Sequence, residues 1–441
     1  MSHKYKSRIL LAPLALTALV SSAFADESSV TLYGTLDEAI ANVSHSLNFS
    51  DTHPVAVNPT LGTNKGTQSA TGILNGGLSA TKFGLKGEED MGGGLKGVFL
   101  LEQGFNLPTG ATSNAALALA TNKSTGPAMA ADSAISGQFF NRGAYTGLAS
   151  NSWGTLTAGR HQSFFLDNIV IFDPMLGSQA FSPLGFSGSY GGGGFTDDSR
   201  TDNSLKYRLA LGDFNLGLLY KFGGVAGSGS AQSAYELNGV YASGPFAVQL
   251  GYQAFKDAFS LASAAGTGTI AATAGNTDAY MVSAKYTYEK TTVRLGYELE
   301  QISNPSNPTL DQQVTTIFGF PLSAVPTVTK FTTTEDIKVY WIGGTQELTS
   351  AFAVSLGVYH VVQDAYVASG VACTGTQSQC AGATNYYSLM GDYNLSKRTD
   401  VYLGIMDVVA SGGPANADKN AAPLPSENTN RTVALGFRHR F

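Results

Sequence analysis

The chain has 441 residues, with 26 Lys and Arg against 32 Asp and Glu, a net charge of −6 that gives no support to nucleic-acid binding. Only 13% of its residues are charged, far below the roughly 25% of soluble domains, while Gly (52), Phe (24) and Tyr (20) are abundant. So few charges argue against a soluble protein of this size and suit strands that each turn one face to lipid.

Residues 1–25 read as an export signal. Lys4, Lys6 and Arg8 form a cationic start, and Ile9 to Val20 is an apolar run broken only by Pro13 and Thr17. Ala23-Phe24-Ala25 puts small residues where a signal peptidase reads, so cleavage is expected before Asp26. The apolar run is too short for a spanning helix, which needs about 20 residues, and no later run is long enough either. Residues 26–441 are then one domain.

Period-2 patterning and β-branched or aromatic content predict sixteen strands. Val30–Asn42 comes first, followed by a long loop from about Val43 to Leu78. Ser79–Glu88 and Gly94–Phe105 form a hairpin, and a second long loop ends near Gly137. Gln138–Ala149 and Thr155–Arg160 pair next, and a third long segment runs to about Arg200. Further hairpins are Asp202–Ala210 with Phe214–Phe222, Ala234–Tyr241 with Phe246–Phe255, and Asp278–Tyr288 with Thr291–Ile302. Glu335–Gln346 with Phe352–Gln363 and Thr384–Asn394 with Asp400–Val409 follow, and Arg431–Phe441 is last.

Tight turns on one side and long polar loops on the other are the layout of an outer-membrane barrel. An even strand number lets the last strand pair with the first, leaving no edge that lipid cannot satisfy. In the last strand Val433, Leu435, Phe437, His439 and Phe441 share the face suited to lipid, while Thr432, Ala434, Gly436, Arg438 and Arg440 share the face suited to water. Tyr340-Trp341 and Tyr386-Tyr387 are candidates for the interfacial aromatic girdles. The only cysteines, Cys373 and Cys380, lie in a polar loop and are expected to form a small disulfide in an oxidising compartment.

Several stretches resemble the general porins of Gram-negative bacteria, especially the trimeric porins of β-proteobacteria. They are SSVTLYGTLD at 28–37, TKFGLKGEEDMGGGLKGVFLLEQGFN at 81–106, FNRGAYTGL at 140–148, WGTLTAGR at 153–160 and the final strand ending in Phe441. NSLKY at 203–207 and KRTDVY at 397–402 are further landmarks. The resemblance implies an all-β fold, a transmembrane antiparallel 16-stranded barrel whose third long loop (161–201) folds into the lumen as a constriction. It implies a homotrimer in outer-membrane lipid, inserted by the barrel-assembly machinery through Phe441, that passes ions and small hydrophilic solutes.

In that family basic wall residues face acids on the constriction loop. Alternation alone puts Lys82 and Lys86 on one face with Gly84. Lys82 stands where the family has a wall arginine, and Arg142 matches a second one. Arg160 lies where the loop departs and Arg200 where it returns. The expected basic set is therefore Lys82, Lys86, Arg142, Arg160 and Arg200, faced by Asp167 and Asp173. The Pro-Glu-Phe-Gly turn of many relatives is replaced by Pro183-Leu184-Gly185-Phe186, so the acidic side is thin and a weak anion preference is expected.

An outer-membrane enzyme would need a nucleophile beside a histidine. His45, His53, His161, His360 and His439 neighbour no such motif, so no catalytic residues, metal or cofactor are expected. A substrate-specific channel and a surface adhesin barrel are the alternatives, suggested by the Phe-rich third loop and the long polar loops respectively.

Overall fold

The computed structural model describes residues 28–49, 66–112, 139–185, 200–263, 270–307, 316–317, 320–321, 327–328, 330–369, 380–414 and 425–441. The signal segment and Cys373 lie outside these residues.

Sixteen antiparallel wall strands close on themselves. β1 is Ser29–Phe49, and β2 is two collinear segments, Gly66–Asn75 and Lys82–Asp90, that both pair with β1. β3 (Leu95–Asn106), β4 (Gly143–Ser150), β5 (Gly154–Gln162), β6 (Arg200–Leu211) and β7 (Phe214–Lys221) continue the wall. β8 (Ala234–Ser243), β9 (Phe246–Ser263), β10 (Ile270–Tyr288) and β11 (Thr291–Ser303) follow. β12 (Glu335–Glu347), β13 (Phe352–Gln363), β14 (Gly382–Asn394), β15 (Thr399–Gly412) and β16 (Pro425–Arg440) complete it. β16 pairs with β1, and Phe441 and Gly34 exchange backbone hydrogen bonds of 3.1 Å at the seam. Closure leaves no unpaired strand edge in the wall, as lipid requires.

Alternation sorts the two faces. Ile40, Leu435 and Leu403 lie in register on the outside, and Leu356 faces Leu389 there. All five are exposed, and on this fold their solvent is lipid. β1, β9 and β10 have 21, 18 and 19 residues, more than the 9–11 or so that cross the hydrocarbon. Their surplus lies at the long-loop end. There the sequence reading is corrected: Gly66–Asn75 was expected to be loop but pairs with β1 from Glu38 to Leu47. Its large apolar residues, Ile73 and Leu74, are adjacent at one end, with Ile73 in register with Ile40 on the outer face, so no apolar period marks the segment.

Between the segments of β2 the chain leaves the wall at residues 76–81. Asp37, fully buried, collects this excursion by accepting from the N–H groups of Gly77 (3.0 Å), Leu78 (3.1 Å) and Ser79 (2.7 Å). Tyr402 on β15 donates its hydroxyl to the same carboxylate. One acid thus satisfies three turn donors that would each cost about 1–3 kcal/mol if buried unpaired.

Inside the barrel lies the third loop. Its first part is α1, Phe164–Phe172, N-capped by Ser163, whose side chain accepts from the Leu166 N–H at 3.1 Å. α1 packs on β8 to β11. Phe165, Ile169, Met175, Phe181 and Leu184 join inward-facing Met281, Val339, Trp341, Tyr402 and Met406 in one apolar core. These apolar wall residues, set beside buried Glu298 and Glu300 of β11, draw the loop onto that side; burying each large side chain is worth about 1.5–3 kcal/mol.

Candidate functional site: the lumen wall facing the third loop

Polar anchors hold the loop along the apolar wall. Arg294 on β11 donates to the Ile171 carbonyl at 3.0 Å, and the Trp341 indole on β12 donates to the Phe172 carbonyl at 3.1 Å. Tyr359 on β13 donates its hydroxyl to Asp173. Farther on, Ser178 donates to the Gly77 carbonyl at 2.8 Å, and Phe181 packs edge-on to Tyr402 with ring centroids 6.4 Å apart. The loop therefore runs from β6, where Asp167 meets Lys206, over β8 to β15, and the wall from β2 to β5 stands opposite it.

That opposite wall carries the charges. Lys82 and Arg142 both bind Glu102 of β3, at 3.0 and 2.9 Å, and the Tyr33 hydroxyl donates to it at 2.9 Å. Lys82, Gly84 and Glu102 face inward because Leu85 and Leu101 pair on the outer face. Arg142 precedes β4, after a backbone kink at Phe140 (φ 59°) that lays its side chain over Gly104. A side chain at Gly104 would strike the Arg142 Cδ at 2.9 Å, so glycine makes room for the guanidinium.

A second cluster sits where β6 meets α1. Asp167 accepts from Lys206 Nζ at 2.7 Å, Gln162 Nε2 at 2.9 Å and the Arg208 guanidinium. Lys206 and Arg208 lie over the Phe164 ring, 4.0 and 5.4 Å from its centroid. Lys206 is buried, but the Arg208 side chain is 55% exposed to the lumen. Glu236 of β8 accepts the Phe164 N–H at 2.6 Å and so holds the start of the helix.

Of the residues expected from sequence, Lys82, Arg142 and Asp167 lie in these two clusters. Arg200 is buried at 1% exposure, within electrostatic range of Lys82. Lys86 is exposed farther along the same face, 5.6 Å from the Tyr33 ring. Two residues take other places. A register shift between Gly159 and His161 removes Arg160 from the alternation, and its guanidinium binds the Asn141 carbonyl (2.8 Å) and Asp202. Asp173 has no exposure and offers no charge to a passing ion. It anchors the loop instead, accepting from Tyr359, Ser182 and the Gly177 N–H (2.7 Å), and burial raises its carboxyl above the usual aspartate range. Sequence reasoning missed Glu102, Lys206 and Arg208. The last two had a signal, since Lys206 and Arg208 alternate with Leu205, Tyr207 and Leu209.

Apart from Asp167, which binds Lys206 and Arg208, the exposed lumen surface of the loop is apolar. Among its described residues the exposed ones are Val170 (47%), Ile171 (40%) and Leu176 (44%). Cys380 is disulfide-bonded in the loop before β14. No cluster of metal-ligating side chains occurs among the described residues.

The chain matches the Gram-negative porin family over residues 12–413. An outer membrane porin of Bordetella pertussis is 27% identical over 460 aligned positions, covering 98% of this chain and all of that protein. Outer membrane porin protein 32 of Delftia acidovorans is 28% identical over 252 positions, 56% of this chain and 58% of that protein. Among solved structures, the anion-selective porin from Comamonas acidovorans superposes with a TM-score of 0.59 at 20% identity, covering 94% of this chain and all of that one. OmpT of Vibrio cholerae in its trimer form gives 0.57 at 14% identity, again covering 94% of this chain and all of that one. These two likenesses speak to the fold alone. The family match spans most of the chain and agrees with the closed sixteen-strand wall: the chain belongs to the Gram-negative porins, diffusion channels of the outer membrane.

Proposed function

We propose that this porin passes ions and small hydrophilic solutes with a preference for anions, through a pore narrowed by the third loop. One observation carries this reading: Lys82, Arg142, Lys206 and Arg208 are gathered on the β2–β6 wall against two carboxylates, Glu102 and Asp167. Within these two clusters the ion pairs set four cations against two acids, and Glu236, Glu298 and Glu300 on the facing wall are buried at 0–1% exposure, so the exposed balance is positive and lowers the energy of an entering anion. The preference is modest because each acid neutralises part of the set. A porin from Comamonas acidovorans with a similar fold is described as anion-selective, which supports this reading.

The unit is a homotrimer in outer-membrane lipid, a reading supported by the trimer form of the similar Vibrio cholerae protein. Phe441, sealed to β1 and 41% exposed, is the residue the barrel-assembly machinery would read. The relatives are porins, which supports a channel over the enzyme and adhesin readings. Purified protein in a planar bilayer tests diffusion. Conductance should arrive in groups of three steps and rise in proportion to bulk salt conductivity. A conductance that saturated with KCl itself would contradict a general pore.

A further inference from the structure

We propose that the exposed face of α1 is a weak binding site for small amphipathic carboxylates, such as aromatic or branched monocarboxylates. It rests on the anion preference argued above and adds a selectivity that charge alone does not provide.

Asp167, Val170 and Ile171 stand at i, i+3 and i+4 of α1 and so share one helix face. The helix lies against the inner wall through Phe165, Ile169 and Phe172, all fully buried. Val170 and Ile171 therefore meet lumen water, not lipid. A guanidinium flanks this apolar pair at each end. Arg208 is fixed on Asp167 one helical turn before it, with more than half of its side chain exposed. Arg294 is fixed by its Nε to the Ile171 carbonyl at 3.0 Å and by Nη1 to Thr345 Oγ1 at 3.2 Å. Leu176 extends the apolar surface beyond Asp173.

Apolar side chains in an aqueous pore gain when an apolar body covers them. A carboxylate on that body would meet a guanidinium at either end, the pairing that geometry favours most for arginine. A simple inorganic anion gains only the charge, and a neutral apolar solute gains only the surface. A small organic anion with an apolar body gains both. No lid or closed cavity is involved, so binding is shallow and release is fast, as a conducting pore needs.

The test uses the full chain in planar bilayers, with chloride current titrated separately by sodium benzoate and sodium acetate. The two probes carry the same charge and differ in the apolar body. Benzoate should reduce the chloride current saturably, with half-block at a concentration about tenfold below that of acetate. The double variant Val170→Thr/Ile171→Thr should raise the benzoate half-block concentration about tenfold, towards acetate, with its KCl zero-current potential unchanged. Each single variant should give a smaller shift in the same direction, which keeps the test decisive if the double variant forms no channels. Benzoate and acetate acting alike, or a benzoate block untouched by the variants, would overturn the site. A cation-selective zero-current potential in KCl would instead overturn the anion preference, so the two failures are distinguishable.

Discussion

Alanine at Lys82, Arg142 and Arg208 together is expected to turn the channel from anion to cation preference. The lumen clusters hold four cations and two carboxylates; the triple variant keeps Lys206 against Glu102 and Asp167. At a separation of about 8 Å and an effective dielectric of about 40, one unit charge shifts an ion's energy by about 1 kcal/mol. Salt at about 0.1 M screens beyond about 10 Å, so the three removed charges do not add fully. A change of about 1.4 kcal/mol in the relative barriers is already tenfold in permeability ratio. The ratio of chloride to potassium should therefore fall at least about tenfold and cross unity. The side chains removed take no part in the strand ladder, and Glu102 keeps the Tyr33 hydroxyl. The zero-current potential in a KCl gradient reads the outcome, and an unchanged sign would show that these residues do not set the field.

Asp173→Ala is expected to free the middle of the third loop without opening the barrel. The carboxylate is fully buried and accepts from Tyr359, Ser182 and the Gly177 N–H. Truncation leaves these buried donors without an acceptor, at about 1–3 kcal/mol each. Apolar packing of Phe181 and Leu184 remains, so the loop should flicker. Single-channel recordings should show larger, noisier currents with little change in heat stability, because the wall hydrogen bonds are untouched. Tyr359→Phe removes one donor and should show a milder form of the same noise. The pH dependence follows from the raised carboxyl. Docking favours the protonated acid, so it gains strength as pH falls from the raised docked value towards the ordinary 3.8 of the undocked acid. Above the docked value the cost of burying the charge is already complete, so wild-type noise should quieten on acidification through that window and stay level at higher pH. Noise that grew on acidification would contradict the anchoring role.

The wall was legible because lipid and water impose opposite demands on alternate residues. Ile40, Leu403 and Leu435 mark the outside wherever a strand crosses the membrane. Residues 66–75 escaped because their two large apolar residues, Ile73 and Leu74, are adjacent at one end and set no period. The lumen site was only half legible. Lys82 followed from alternation, but Arg142 reaches the lumen through the kink at Phe140, which the resemblance supplied and periodicity did not. Arg160 was expected at the site because the third loop departs there, and that position alone did not show that the Asn141 carbonyl and Asp202 hold its guanidinium. Asp173 lies in a loop, where no period tells a solvent-facing acid from a buried anchor. The apolar Tyr340-Trp341-Ile342 run held a usable signal, because a strand apolar on both faces inside a water-filled barrel must be covered from within.

The field of the basic wall is tested most directly by the zero-current potential of the wild-type channel, with KCl on the two sides of a bilayer at a tenfold ratio. The gathering of Lys82, Arg142, Lys206 and Arg208 on one side of the lumen predicts a potential with the sign of chloride permeation, shrinking towards zero as total salt is raised and the wall is screened. A potential with the sign of potassium permeation, growing as salt is lowered, would mean that the acids and not the cations govern the lumen, and would contradict the account.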